Sequence, residues 1–250
     1  MSSATITTSA RLMNSTPQTE EQAMVRKVAV SSFLGNFIEW FDYASYSYFA
    51  TTIALVFFPT DNHTVAMLQT FGVFALSFIL RPIGALFWGS YGDKKGRKAA
   101  LAHSIMFMSG ASFLIGCLPS YSVIGVGAPI LLLLLRMVQG FSASGEYAGA
   151  ATFLGEYAPT SKRGIYCSLI PASTAIGLLA GSTLATLMTA NMNSSAMVGW
   201  GWRVPFLLAG PLGLIVLYIR AKLADSPVYQ SMNDALESKG AASADGQIRS

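Results

Sequence analysis

The chain has 250 residues, 52% hydrophobic and 11% charged, with a formal net charge of +4. A soluble domain carries about 25% charged residues, so water is not the main solvent here. The basic residues lie in short segments between apolar blocks rather than on one solvated face, which argues against a nucleic-acid partner, and Cys117 and Cys167 lack metal-ligand spacing.

Residues 1–27 are polar and rich in Ser and Thr, without the apolar core or small-residue cleavage site of a removed leader. They read as a cytoplasmic N-terminal segment. Six apolar blocks follow, each close to the roughly 20 residues needed to cross a hydrocarbon layer about 30 Å thick. Span 1 is expected over Val28–Phe58, span 2 over Val65–Trp88, span 3 over Ala99–Leu118, span 4 over Ala128–Leu154, span 5 over Ile165–Ala190 and span 6 over Val204–Leu223. Backbone amides in lipid must be satisfied within their own segment, so the blocks are helices. The connections are expected at Pro59–Thr64, Gly89–Lys98, Pro119–Gly127, Gly155–Gly164 and Asn191–Arg203. The fold class is all-α, a domain of six transmembrane helices over residues 28–225, followed by a polar, disordered cytoplasmic tail over 226–250.

Orientation follows from Lys and Arg near the span ends, which are retained on the cytoplasmic side. Lys94, Lys95, Arg97 and Lys98 follow span 2, and Lys162 and Arg163 follow span 4. Of the opposite loops, only the last carries a base, Arg203. Arg26 and Lys27 before span 1 and Arg220 and Lys222 after span 6 agree, which places both termini in the cytoplasm. Trp200 and Trp202 then mark the outer interface.

A charged group at the bilayer centre costs roughly 2.5 to 3.5 kcal/mol even on the lenient insertion scale, so it needs a partner, a cavity or a purpose. In span 1, Glu39 and Asp42 are three residues apart and share a helix face. Neighbouring carboxylates repel, which fits one of them for proton exchange, although a buried pair that only orients helices explains them equally well. In span 4, Arg136 and Gln139 share a face, Gly140 admits a close neighbour, and Glu146 follows about 15 Å further along the helix. Arg136 and Glu146 are therefore too far apart to pair, and Glu39 or Asp42 is the expected partner for one of them. Arg81, before Pro82, is expected to snorkel toward the cytoplasmic interface. In span 5, Ser173, Gly177, Gly181 and Ala185 form a small-residue stripe suited to close helix packing.

These residues carry a family likeness. Gly89-Ser90-Tyr91-Gly92-Asp93-Lys94-Lys95-Gly96-Arg97-Lys98 resembles the loop signature of the major facilitator superfamily, and Arg136-x-x-Gln139-Gly140 is similar to its second signature, associated with proton coupling. Gly35-Asn36-Phe37-Ile38-Glu39-Trp40-Phe41-Asp42, Arg81-Pro82-Ile83-Gly84, Ser144-Gly145-Glu146-Tyr147 and Trp200-Gly201-Trp202-Arg203-Val204-Pro205-Phe206 narrow the likeness to the metabolite:proton symporters, with Glu146-Tyr147-Ala148-Gly149-Ala150 closest to the proline/betaine carriers. The resemblance implies the N-terminal six-span half of a twelve-span carrier, built as a 3+3 inverted repeat in the cell inner membrane. It implies symport of a small polar metabolite with protons, with no cofactor beyond the proton motive force, no metal and no enzymatic activity. Glu39, Asp42, Arg136, Gln139 and Glu146 would line the substrate and proton path. Gly89, Asp93, Lys94, Gly96, Arg97 and Lys98 would form the gating loop, while Gly177 and Gly181 pack helices. Its partners would be the solute, protons, the bilayer, and a second six-span half or a second copy.

Three alternatives remain open: carriage of an organic acid of the α-ketoglutarate, citrate or shikimate type, a non-transporting remnant, and an intramembrane serine protease suggested by Ser142-Ala143-Ser144-Gly145. The last needs a histidine base within reach of the serine, and only His63 and His103 exist.

Overall fold

The computed structural model describes residues 15–223 and Ser231, and its elements there are all helical. Expectations for residues 1–14 and for the tail from 224 on, Ser231 apart, fall outside the described residues. Span 1 comprises α1 (Ser15–Tyr48) and α2 (Ala50–Phe57), and span 2 comprises α3 (His63–Ile79) and α4 (Arg81–Lys95). Span 3 is α5 (Arg97–Cys117), and a short α6 (Tyr121–Ile124) leads to span 4, formed by α7 (Gly127–Ala143) and α8 (Glu146–Tyr157). Span 5 comprises α9 (Arg163–Cys167) and α10 (Leu169–Asn191). Span 6 is α12 (Arg203–Ala221), entered through α11 (Ser194–Ala196) and a π-helical turn, Met197–Gly201.

Five of these runs, His63–Lys95, Arg97–Cys117, Gly127–Tyr157, Thr160–Asn191 and Ser194–Ala221, are long and apolar enough to cross a membrane. Span 1 differs because Asn36, Glu39 and Asp42 lie in its middle, and all three are buried against other helices.

Spans 2 and 4 break inside their apolar blocks, for local reasons. Pro82 has no N–H to donate to the Phe78 carbonyl, so the ladder interrupts at Leu80. At the other break, the Ser144 hydroxyl donates to the Phe141 carbonyl at 2.7 Å, a competition with the backbone that bends helices. The connection expected over Gly89–Lys98 is mostly helix. Only Gly96 leaves the helical conformation, at φ 94°, where a Cβ would be strained. Asn62 caps α3, its side chain accepting from the Thr64 and Val65 amides.

The packing obeys an exchange of spans 1–3 with spans 4–6. Span 1 lies against span 5 as span 4 lies against span 2, and span 1 against span 6 as span 4 against span 3. Spans 1 and 4 touch each other, as do spans 3 and 6. Three passages per repeat start the second repeat from the opposite membrane face, which makes the pair inverted.

Lipid offers no hydrophobic force to press helices together, so close approach at small residues does it. A Cβ on Gly177 would meet the Phe37 carbonyl of span 1, and one on Gly181 would meet Ala44. The equivalent contact in the other repeat uses Gly140, whose Cβ would land on the Ser77 carbonyl, and Gly84, whose Cβ would land on that of Phe141. Spans 3 and 6 meet at Gly116, Gly210 and Gly213, the last against Ser109.

Three apolar clusters are stacked along the bundle. One, at the end with Phe57 and Leu118, includes Trp202 and Phe206, and the middle one is built on Ile38, Ile105 and Met108. The third, at the basic end, holds Val28, Leu101 and Phe153. Trp202 corrects an expectation. It is fully buried, edge-on to Phe57, while Trp200 is 56% exposed. Side chains two residues apart on a helix lie about 200° apart, so one indole faces outward and the other joins the core.

Candidate functional site

Span 1 is the element from which the buried polar contacts radiate, because its polar residues recur at helical spacing on the faces it presents to four other spans. Asn36 is fully buried, and its amide nitrogen lies 3.0 Å from the Ile170 carbonyl, 2.8 Å from the Ser173 hydroxyl and 2.9 Å from that of Thr174. This fixes the register of spans 1 and 5.

Asp42 lies at the centre of a network that reaches three other spans. Arg136 Nη1 donates to Asp42 Oδ2 at 2.7 Å, and Gln139 Nε2 donates to Asp42 Oδ1 at 3.1 Å. Gln139 also donates to Ser112 of span 3, which donates onward to the Met108 carbonyl at 3.1 Å. The Arg136 guanidinium lies 3.8 Å from the Tyr46 ring centroid, and the Tyr46 hydroxyl donates to the Thr70 carbonyl of span 2 at 2.9 Å. Arg136 is completely buried and Asp42 4% exposed, so both charges are desolvated and depend on each other. Arg136 Nε and Nη2 have no hydrogen-bond partner, and the ring face of Tyr46 is their nearest compensation.

Glu146 begins α8, directly after the break at Ser144 and Gly145. It forms a two-pronged pair with Arg220 of span 6, Nη1 donating to Oε2 at 3.0 Å and Nη2 donating to Oε1. Arg220 also donates to the Ser31 hydroxyl at 3.1 Å and to the Leu101 carbonyl. Gly35 makes room, since a Cβ there would strike both the carboxylate and the guanidinium. Arg220, expected as an end-of-span cation, is instead 1% exposed.

Glu39 pairs with Arg81 of span 2, whose Nη2 donates to Oε1 at 2.6 Å and also to the Tyr43 hydroxyl. The guanidinium lies 4.9 Å from the Tyr43 ring centroid and 4.6 Å from that of Phe78. The Arg81 side chain is 25% exposed and that of Glu39 only 1%. The snorkelling expected for Arg81 is thus corrected: a buried carboxylate across the helix contact holds it inward. Glu39 and Asp42 share a face, but each has its own cation.

Of the five residues expected to line a path, Asp42, Arg136 and Gln139 converge, while Glu39 and Glu146 form separate pairs. Arg81, Arg220, Asn36, Tyr43 and Tyr46 were not singled out for these contacts. For both arginines the only signal was their place inside an apolar block that holds no acid, which shows that a partner is needed but not which one.

The expected gating residues lie at the basic end. Asp93 and Arg97 pair at 3.2 Å with Asp93 65% exposed, Lys98 Nζ donates to the Ala221 carbonyl at 3.1 Å, and Gly89 faces open space. Arg203, at the opposite end, donates to the Gly116 and Leu118 carbonyls at 2.8 and 2.5 Å, satisfying the C-terminus of span 3. Ser142 Oγ is buried with no hydrogen-bond partner, so no imidazole activates it.

An inverted-repeat bundle of apolar helices with charge pairs held inside it defines a multi-pass membrane protein. The sequence profile of the sugar (and other) transporter family matches residues 27–248, and the chain belongs to that family, within the major facilitator superfamily. The proline/betaine transporters of Salmonella typhimurium and Escherichia coli are each 42% identical to it over 217 residues, 87% of this chain and 43% of theirs. A glycine betaine/proline/ectoine/pipecolic acid transporter of Dickeya dadantii is also 42% identical over 217 residues. The chain thus spans about 43% of the length of these relatives. Among solved structures, the proton:xylose symporter XylE bound to 6-bromo-6-deoxy-D-glucose superposes with a TM-score of 0.74 at 16% identity, over 84% of this chain and 46% of that one. The partially occluded inward-open XylE from E. coli gives 0.75 at 17% identity, over 84% of this chain and 52% of its own. At such identities the likeness is one of fold.

Proposed function

We propose that the chain forms one six-span half of a proton-coupled symporter for a small zwitterionic solute of the proline or betaine kind. The observation that carries this reading is the Asp42 network. A carboxylate and a guanidinium, both desolvated, join spans 1 and 4, the two helices that correspond under the repeat exchange, and the same network extends to spans 2 and 3. Protonation of Asp42 cancels the attraction that holds Arg136, so proton occupancy and helix arrangement become linked. The solute assignment rests on the relatives' names. Glu39, Arg136, Gln139 and Glu146 complete the polar path. Asp93, Arg97, Lys94, Lys98 and the turn at Gly96 and Gly89 serve as the gate.

The energy source is the proton gradient rather than a bound cofactor. A proton entering down 100 mV supplies roughly 2.3 kcal/mol, against about 1.4 kcal/mol for tenfold accumulation, so one proton per solute suffices. The placement is the cell inner membrane with both termini cytoplasmic, as the basic residues at one end of the bundle favour. A second six-span unit, another half or a second copy, faces this one across the solute path.

Proteoliposome uptake tests the reading. Labelled proline or betaine should accumulate under an imposed inward proton gradient and lose that accumulation when the gradient is collapsed. Asp42→Asn should abolish gradient-driven accumulation. Gradient-driven accumulation by that variant equal to the parent's would remove the Asp42 network from the mechanism.

A further inference from the structure

Glu39–Arg81 differs from the other two buried pairs in being open on one side. Arg136 and Arg220 are completely or almost completely buried, whereas a quarter of the Arg81 side chain is exposed. Beside it the Phe78 ring is 39% exposed and stacks against the guanidinium, so a charged group and an apolar face are presented together. The pair is also incomplete. Glu39 Oε2 is buried and accepts no hydrogen bond, and Arg81 Nε donates none. An unpaired carboxylate oxygen in a dry site costs free energy that a proton on it would remove.

We propose that Arg81 is the receptor for the solute's carboxylate, and that the solute takes Arg81 over from Glu39 as Glu39 takes up a proton. This rests on the symport reading above and names the subsite within it: the single proton binds at Glu39 together with the solute and reaches Asp42, on the same helix face, only as the repeats rearrange. While Glu39 is ionised it occupies the guanidinium at 2.6 Å, and a second carboxylate meets a neutralised cation and a like charge. Once a proton from the aqueous compartment binds the Glu39 carboxyl, Arg81 lacks a counterion in a partly desolvated site. The solute carboxylate then forms the charge-assisted pair, and the solute's methyl or ring carbons cover Phe78. Proton and solute each raise the other's affinity, as thermodynamic reciprocity requires. Besides Arg81, the charged groups acting on Glu39 are Asp42 of its own helix and Glu146 of span 4, and the Tyr43 hydroxyl lies beside it on the same arginine. Asp42 is held by Arg136, Tyr43 accepts from Arg81, Glu146 is held by Arg220, and the neighbouring helix α10 carries no charged residue.

Titration calorimetry on the purified chain in lipid nanodiscs tests this without requiring transport. Glycine betaine, run in buffers of differing ionisation heat, should bind with uptake of about one proton, and its affinity should fall roughly tenfold per pH unit where Glu39 is ionised. Its carbon isostere 3,3-dimethylbutanoate, which lacks the cationic nitrogen but keeps the carboxylate, should compete, and choline, which lacks a carboxylate, should not. Glu39→Gln should bind betaine without proton uptake and with pH-independent affinity. Phe78→Leu should weaken binding several-fold while keeping the proton, and this variant and the ligand series decide the matter if Glu39→Gln does not fold. The assignment is overturned by betaine binding without a proton, by uptake that persists in Glu39→Gln, by choline competing as well as the isostere, or by a folded parent that binds no betaine. Coupled uptake in liposomes together with any of these outcomes would leave symport standing and remove only the Arg81 subsite. Glu39-dependent proton uptake without transport would do the reverse.

Discussion

Arg220 and Lys222 are two residues apart near the end of span 6, and in the sequence both read as basic markers of the cytoplasmic face. The structure separates them: Arg220 is buried in a two-pronged pair with Glu146, and Lys222 is exposed against Tyr218. Removing one partner of a buried pair leaves the other charge uncompensated, at a cost of about 3 to 5 kcal/mol. Arg220→Ala should therefore lower the thermal midpoint in detergent sharply, and Lys222→Ala should stay within about 0.5 kcal/mol of the parent. Equal effects would contradict the pairing. The acids were legible as buried because carboxylates inside apolar blocks have few alternatives, and Glu39 or Asp42 was the expected partner for one of Arg136 and Glu146. Which cation meets Glu146 was not legible, since that choice is set by how spans 4 and 6 cross. Arg81 was misread for the same reason: snorkelling is the default only where no carboxylate faces the side chain across the helix contact.

The helices show the same division. Block length and hydropathy set the six passages to within a few residues at most ends, and the stripe at Gly177 and Gly181 does form the contact with span 1. The breaks at Leu80 and at Ser144 and Gly145 fall inside runs that are, as wholes, apolar enough to cross a membrane, so block hydropathy does not mark them. They arise from a missing amide at Pro82 and from hydroxyls that bond their own backbone. Glycine positions sort by what lies opposite. Gly140 abuts the Ser77 carbonyl, whereas Gly72, in the adjoining helix α3, faces open space. Gly140→Ala should cost about 1 to 3 kcal/mol through overpacking. Gly72→Ala should be neutral or stabilise by up to about 1 kcal/mol, because alanine is the better helix former. Chemical denaturation of both variants checks this, and a Gly140→Ala protein as stable as the parent would contradict the contact between spans 2 and 4.

At the scale of the molecule, one end of the bundle gathers Lys94, Lys95, Arg97 and Lys98 with Lys162 and Arg163, and the other exposes Trp200 and holds Arg203 in a capping role. The two cysteines report on this polarity. Cys117 is exposed at the Arg203 end, and Cys167 is half-buried near the basic end. A membrane-impermeant maleimide applied to intact cells should label Cys117 and reach Cys167 only after permeabilisation. The opposite pattern would invert the topology. The repeat exchange places the buried Asp42–Arg136 pair between spans 1 and 4, where alternating rearrangements of the two repeats would act on it directly.

In a symporter solute and proton move together. The most direct measurement of this is proton movement driven by solute alone: proteoliposomes with no imposed gradient, a pH-sensitive dye in the external medium, and betaine or proline added outside. The expected result is external alkalinisation matching labelled solute uptake at about one proton per solute, unchanged when sodium is replaced by potassium. Solute entry with no alkalinisation, or entry that requires sodium, would contradict the account.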